Sequence, residues 1–185
     1  MNKNIVTFTG FVRLRKVERI AGVQMTIKEY NTCVDLYADG AYRFILKNIR
    51  DDDNARDIVQ ESFVRLWDKR KAVRFSKART YIFTTAYHIM IDLLRKNKNH
   101  REYGHGDEGL LTINNDFSDL QEILDEALRK IPEIQRTVIL LRDYEGYSYR
   151  EIGEITNLSE SQVKVYIYRA RMSLKQYIGS PDRVI

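Results

Sequence analysis

A chain of 185 residues with 43% hydrophobic content can hold one domain or two small ones with packed cores, since about 100–200 residues per domain is usual. A formal charge of +5 and a pI near 9.2 favour a polyanionic partner without fixing a fold. The single cysteine, Cys33, excludes an internal disulfide and fits a reducing compartment, and no apolar run approaches the roughly 18 residues of a membrane span. Charge is also segregated. Ten Lys/Arg and one acid, Asp92, lie between Lys69 and Arg101, whereas Asp51 to Glu61 holds five acids and one base, Arg56. Such blocks point to different partners for different faces.

In chain order, residues 1–24 mix polar, glycine and basic residues with no clean apolar signal run. VTFTGFV has the composition of a short strand, but no second strand follows to pair with it. This stretch is expected to be a dispensable N-terminal arm, poorly ordered or the product of an upstream start-codon assignment. Met25-Thr26 opens a helix to about Asn48 on the period of Ile27, Tyr30, Val34, Tyr37, Ala41, Phe44 and Ile45, with Gly40 interrupting without ending it. Cys33 falls on that period as a small core residue. Asp53 is the expected N-cap of the next helix, Asn54 to about Lys69, which buries Ala55, Ile58, Val59, Phe63, Leu66 and Trp67.

A basic connector, KRKAVRFSKAR, leads to a helix from about Ala78 to Lys96. Its apolar stripe is Ile82, Ala86, Ile89, Met90, Leu93 and Leu94, with Phe83 in the core and Tyr81 and Tyr87 divided between core and surface. Cations and aromatic rings interleaved on one helix suit single-stranded nucleic acid, where cations track phosphates and rings stack on bases. Residues 98–116 lose the helical period and carry Gly104, Gly106 and Gly109 without proline, which reads as a flexible linker. His100 and His105 lie near no second ligand pair, so no metal site or other cofactor is expected.

An acidic helix from about Phe117 to Lys130 follows, then Pro132 in the first turn of a helix to about Tyr144, closed by Glu145-Gly146. Tyr147 to Tyr177 reads as a helix-turn-helix. Ser148 with Glu151 and Ser159 with Gln162 are capping boxes, Asn157 suits a left-handed turn, and Gly153 leaves room for a second backbone. Val163, Ile167, Ala170 and Leu174 form the buried stripe of the second helix, whose outer faces are basic, as for a helix entering a major groove. Residues 179–185 are a frayed tail. The fold class expected is all-α: two small helical domains, 25–97 and 117–178, joined by a flexible linker, with the helix-turn-helix in the second.

DNARDIVQESFVRLW at 53–67, the ARTYIFTTAYHIMIDLLRK helix, and LRKIPEIQRTVILLRDYEGYSYREIGEITNLSESQVKVYIYRARMSLK together resemble an extracytoplasmic-function (ECF) sigma factor of bacterial RNA polymerase, over roughly residues 27–178. The resemblance implies a region 2-like domain at 25–97 and a region 4-like domain at 117–178. It implies a cytoplasmic, non-enzymatic protein whose partners are core RNA polymerase, promoter DNA and an anti-sigma factor, without membrane insertion. It implies docking on the polymerase through Asp57, Gln60, Glu61, Val64 and Leu66. Capture of the unpaired −10 strand falls to Arg74, Lys77, Arg79, Tyr81, His88, Arg95 and Lys96, and reading of the −35 duplex to Ser161, Gln162, Lys164, Val165, Tyr168, Arg169 and Arg171. His88 stands where many members have Asn, Tyr81 where many have Trp, and Val165 where a polar residue is common. On chemistry alone Lys164 and Arg169 suit guanine or phosphate, Gln162 adenine, and Val165 a thymine methyl. A stand-alone helix-turn-helix regulator accounts only for the C-terminal half. A nucleic-acid hydrolase or transferase lacks a phosphate-binding loop, metal-ligand spacing and a nucleophile with its base.

Overall fold

A computed structural model describes the backbone of residues 24–103 and 119–179, with side chains at 24–98 and 123–179. Nearly all of the expected arm and tail and most of the expected linker lie outside these residues, as does the VTFTGFV segment. The described residues form helices and no strand: α1 (Ile27–Ile49), α2 (Asp52–Lys69), α3 (Phe75–Tyr103), α4 (Asp119–Lys130), α5 (Glu133–Ile139), α6 (Tyr149–Thr156) and α7 (Glu160–Ile178).

The first three helices pack on one another as a bundle. Thr26 and Glu29 close a capping box at the start of α1, and Arg50 ends it in the left-handed conformation, φ 57°. Asp51, not Asp53, caps α2: it stays extended and its carboxylate accepts the Asn54 N–H at 2.9 Å. Asp52 and Asp53 already lie in the first turn, where their charge meets the positive end of the helix. Cys33, Phe44 and Ile45 meet Ile58, Phe63, Leu66, Ile82, Phe83 and Met90 in the core. Helix α3 starts at Phe75 and runs to Tyr103, past the expected end at Lys96, because no Gly or Pro occurs before Gly104.

Helices α4 to α7 form the second bundle, where Leu128, Val138, Leu141, Ile152, Ile155, Val163 and Ile167 are buried together. Pro132 is the N-cap of α5 rather than part of its first turn. At its other end α5 widens into a π-helical turn, Leu140–Tyr144, in which the Glu145 N–H donates to the Leu140 carbonyl five residues back. Gly146 takes φ 72°, a value that favours glycine, and Tyr147 then folds inward.

The two bundles are packed against each other, which the sequence does not reveal. Helix α3 lies on α6 and α1 touches α5. Across the seam the Thr137 hydroxyl donates to Asn48 Oδ1 at 2.8 Å, both residues being buried. Lys47 pairs with Asp125 at 2.6 Å, and Phe83 meets the Tyr147 ring edge-on at 5.4 Å.

Candidate nucleic-acid and partner interfaces

Local chemistry sets the helix-turn-helix. Both capping boxes form: the Glu151 N–H donates to Ser148 Oγ at 3.3 Å while the Ser148 N–H donates to Glu151 Oε2 at 2.9 Å, and Ser159 and Gln162 repeat the pattern at 3.3 and 2.9 Å. Asn157 is left-handed, φ 59°. A Cβ on Gly153 would stand 2.6 Å from the Leu158 carbonyl oxygen, so only glycine lets the turn pass this close.

With Val163, Ile167 and Ala170 buried, the opposite face of α7 presents Ser161, Val165, Tyr168 and Arg169, all exposed. Met172, half-exposed at 50%, continues that face one turn beyond Tyr168; only helix phase measured against the buried stripe would have found it. Lys164 and Arg171 lie on one flank. Lys164 pairs with Glu160 at 2.9 Å, and Arg171 is held by both Asp143 carboxylate oxygens, at 2.6 and 3.3 Å, a hydrogen-bonded pairing that raises its pKa. Gln162 departs from expectation. Its Oε1 accepts from the Ser159 backbone and hydroxyl, so it cannot also make the two-point contact to adenine, which needs both ends of the amide.

On α3, Lys77, Tyr81, His88 and Arg95 recur at helical spacing and share one face. Thr84 belongs to the same stripe and was missing from the sequence-based set. Arg74 stands just before the helix, and Lys96 is exposed beside the stripe. An open cavity of about 500 Å³ borders this face, lined by Arg74, Lys77, Tyr81 and Thr84, with Glu154 of α6 on its far wall. Tyr81 is half-buried, and Tyr87 is core. Arg79 does not join the stripe. Two residues on from Lys77, it points to the other side of α3. There its guanidinium donates to the Glu145 carbonyl and, at 3.1 Å, to the Glu145 carboxylate, and lies 4.4 Å over the Tyr147 ring.

On α2, Asp57, Gln60, Glu61 and Val64 are exposed on one face, with Glu61 paired to Arg65 at 2.7 Å. Leu66 is wholly buried and is withdrawn from this face: its helical phase places it with Ala55, Ile58 and Phe63 in the core. Among the described residues no group of side chains could hold a metal ion, and no helix is long and apolar enough to cross a membrane.

The family model described as Sigma-70 region 2 matches residues 33–100, and that of Sigma-70, region 4 matches 121–174. The first covers the three-helix bundle and the second the bundle with the helix-turn-helix, the two modules of a sigma-70-type initiation factor. ECF RNA polymerase sigma factor SigM of Bacillus subtilis is 30% identical over 156 residues, covering 82% of this chain and 94% of its own. RNA polymerase sigma factor SigV of the same organism is 30% identical over 154 residues, covering 82% and 92%. Among solved structures, the sigma factor RpoE in complex with the anti-sigma factor NepR from Bartonella quintana has the same fold, with a TM-score of 0.72 and 22% identity over 84% of this chain and 99% of that one. The chain belongs to the ECF sigma factors of bacterial RNA polymerase. Such factors are initiation factors: the chain binds core RNA polymerase, recognises −10 and −35 promoter elements and directs DNA-templated initiation of transcription.

Proposed function

We propose that the two bundles divide promoter recognition, with boundaries at 25–97 and 117–178. The α3 stripe of Lys77, Tyr81, His88 and Arg95, with Arg74 and Lys96, captures the unpaired −10 strand. The outer face of α7, through Ser161, Val165, Tyr168 and Arg169, enters the −35 major groove, while Lys164 and Arg171 on its flank reach phosphates. Asp57, Gln60, Glu61 and Val64 dock the chain on the polymerase. One observation carries the reading: Lys77, Arg95, the exposed His88 and the half-buried Tyr81 ring line one face of α3, a combination suited to binding phosphates and unstacked bases together.

The chain itself performs no chemistry in this scheme, since the polymerase supplies the catalytic site, and it works in the cytoplasm. An anti-sigma factor is a further partner. That reading is supported by two solved structures of like fold, in which RpoE is bound to the anti-sigma factor NepR and CnrH to the cytosolic domain of CnrY.

Transcription in vitro with core polymerase and a promoter library tests the proposal. The chain should select templates sharing two boxes, and Gln60→Ala with Glu61→Lys should weaken its binding to core polymerase without unfolding it. Unchanged binding of that double variant in a pull-down rejects the docking face.

A further inference from the structure

The corner where α1 meets α4 and α5 gathers cations without matching acids. Lys47, near the end of α1, pairs with Asp125 of α4 at 2.6 Å, and Asn48 accepts from the Thr137 hydroxyl of α5 at 2.8 Å. Arg50, the C-cap of α1, stands two residues on from Asn48. Arg129 lies one turn along α4 from Asp125, on the same face, and Arg136 immediately precedes Thr137. Three guanidiniums are thereby brought near one another. Among the described residues none of the three forms an ion pair. The acids nearby do not balance them: Asp125 is committed to Lys47, and Glu133, one turn before Arg136, acts on it only through space.

The arrangement is unfavourable by itself. Arg136 Nε is buried without a hydrogen-bond partner, and a buried charged donor that lacks an acceptor is destabilising. Burial lowers the Arg136 pKa. Burial, with repulsion from Arg129 and Arg136, also holds that of Arg50 down to about 10. The carbonyl ends of α1 and α4 favour Arg50 and Arg129 singly, but they do not account for Arg136, whose helix continues past it into the π-helical turn. Ionisable groups perturbed in this way cluster at functional sites.

We propose that Arg50, Arg129 and Arg136 form a binding site for a small phosphate-bearing anion, such as inorganic phosphate, pyrophosphate or the phosphate chain of a free nucleotide. Guanidinium suits this ligand because its planar fork donates two parallel N–H bonds to a pair of phosphate oxygens. Exposure is graded across the site: Arg129 is exposed, Arg50 is half-buried, and Arg136 is half-buried with its Nε enclosed. The Arg136 charge is delocalised over three nitrogens, so an anion on the outer two offsets it although Nε stays covered. A small anion can enter such a corner, whereas a duplex backbone cannot follow a guanidinium set between helices. The site uses no residue of the α3 stripe or of the outer face of α7, and it goes beyond promoter recognition.

Calorimetric titration of the full-length chain with pyrophosphate, in chloride buffer at constant ionic strength, tests the site. Wild type should bind one equivalent saturably. Arg50→Gln and Arg129→Gln should each weaken binding at least about tenfold, the size of one lost charge-assisted hydrogen bond. Arg136→Lys, which keeps the charge but not the fork, should weaken it as well. Lys28→Gln removes the same charge roughly 33 Å away at the other end of α1 and should leave affinity unchanged. Without anion, Arg50→Gln should keep or raise the denaturation midpoint, since it relieves repulsion, so its loss of binding is not unfolding. Competition with inorganic phosphate and with ATP then ranks the sources of the phosphate group. Absence of saturable binding, equal weakening by Lys28→Gln, or lowered midpoints in both Arg50→Gln and Arg129→Gln overturn the site. So does displacement of pyrophosphate by a promoter duplex with an equal loss of duplex affinity in Arg50→Gln, which would assign these arginines to the nucleic-acid backbone.

Discussion

At the scale of single residues, geometry sorts side chains that sequence treats alike. Gln162 and Arg169 both lie on the basic helix, yet the Gln162 amide oxygen is committed to the Ser159 cap, whereas Arg169 is exposed and forms no ion pair among the described residues. Arg169→Ala should therefore reduce −35 discrimination by about 1–3 kcal/mol, the size of a good base contact, as read by transcription from templates with single changes in that box. Gln162→Glu, which keeps the cap acceptor, should leave the helix intact. The same sorting explains which placements were legible. Lys77, Val165 and the half-buried Tyr81 lie on the stripes where helical spacing alone puts them. Leu66 and Arg79 were misjudged because family position does not report the direction of a side chain. Leu66 turns into the core, and the partner of Arg79, Glu145, is 66 residues away.

At the scale of helices and turns, the most legible features were those closed by neighbours in sequence. Both capping boxes and the left-handed Asn157 depend on residues within a few positions, so residue type was sufficient. The π-helical turn after α5 was not legible, because no local pattern separates it from a helix that simply ends at Gly146. Gly153 carries a sharp prediction. Gly153→Ala gains helix propensity of roughly 1 kcal/mol, but its methyl would meet the Leu158 backbone at 2.6 Å. The net effect should be a destabilised second bundle, seen as a lower denaturant midpoint, and an unchanged midpoint contradicts the close approach. Glu151 gives a pH dependence. Hydrogen bonds from the Ser148 hydroxyl and backbone hold its carboxyl below the ordinary range. A depressed folded-state pKa means that the cap stabilises α6 fully above the usual carboxylate range and loses that contribution as pH falls through the depressed value. Amide protection in the first turn of α6, measured relative to the intrinsic exchange rate at each pH, should fall on acidification in wild type, and the response should shrink in Glu151→Gln, which keeps the cap geometry.

At the scale of the molecule, two all-α bundles and their order along the chain were readable from hydrophobic period and glycine placement. Their contact was not, since it depends on pairs such as Asn48 with Thr137 and Lys47 with Asp125, far apart in sequence and individually unremarked. Division of labour between the bundles is the central claim, and crosslinking tests it most directly. A photoreactive benzoylphenylalanine replaces Tyr81 in one full-length variant and Tyr168 in another, each assembled with core polymerase on a promoter selected from the library. The Tyr81 position should label the unpaired strand near −10 and the Tyr168 position the duplex near −35. Labelling of the same segment from both positions, or of intact duplex from Tyr81, would contradict it.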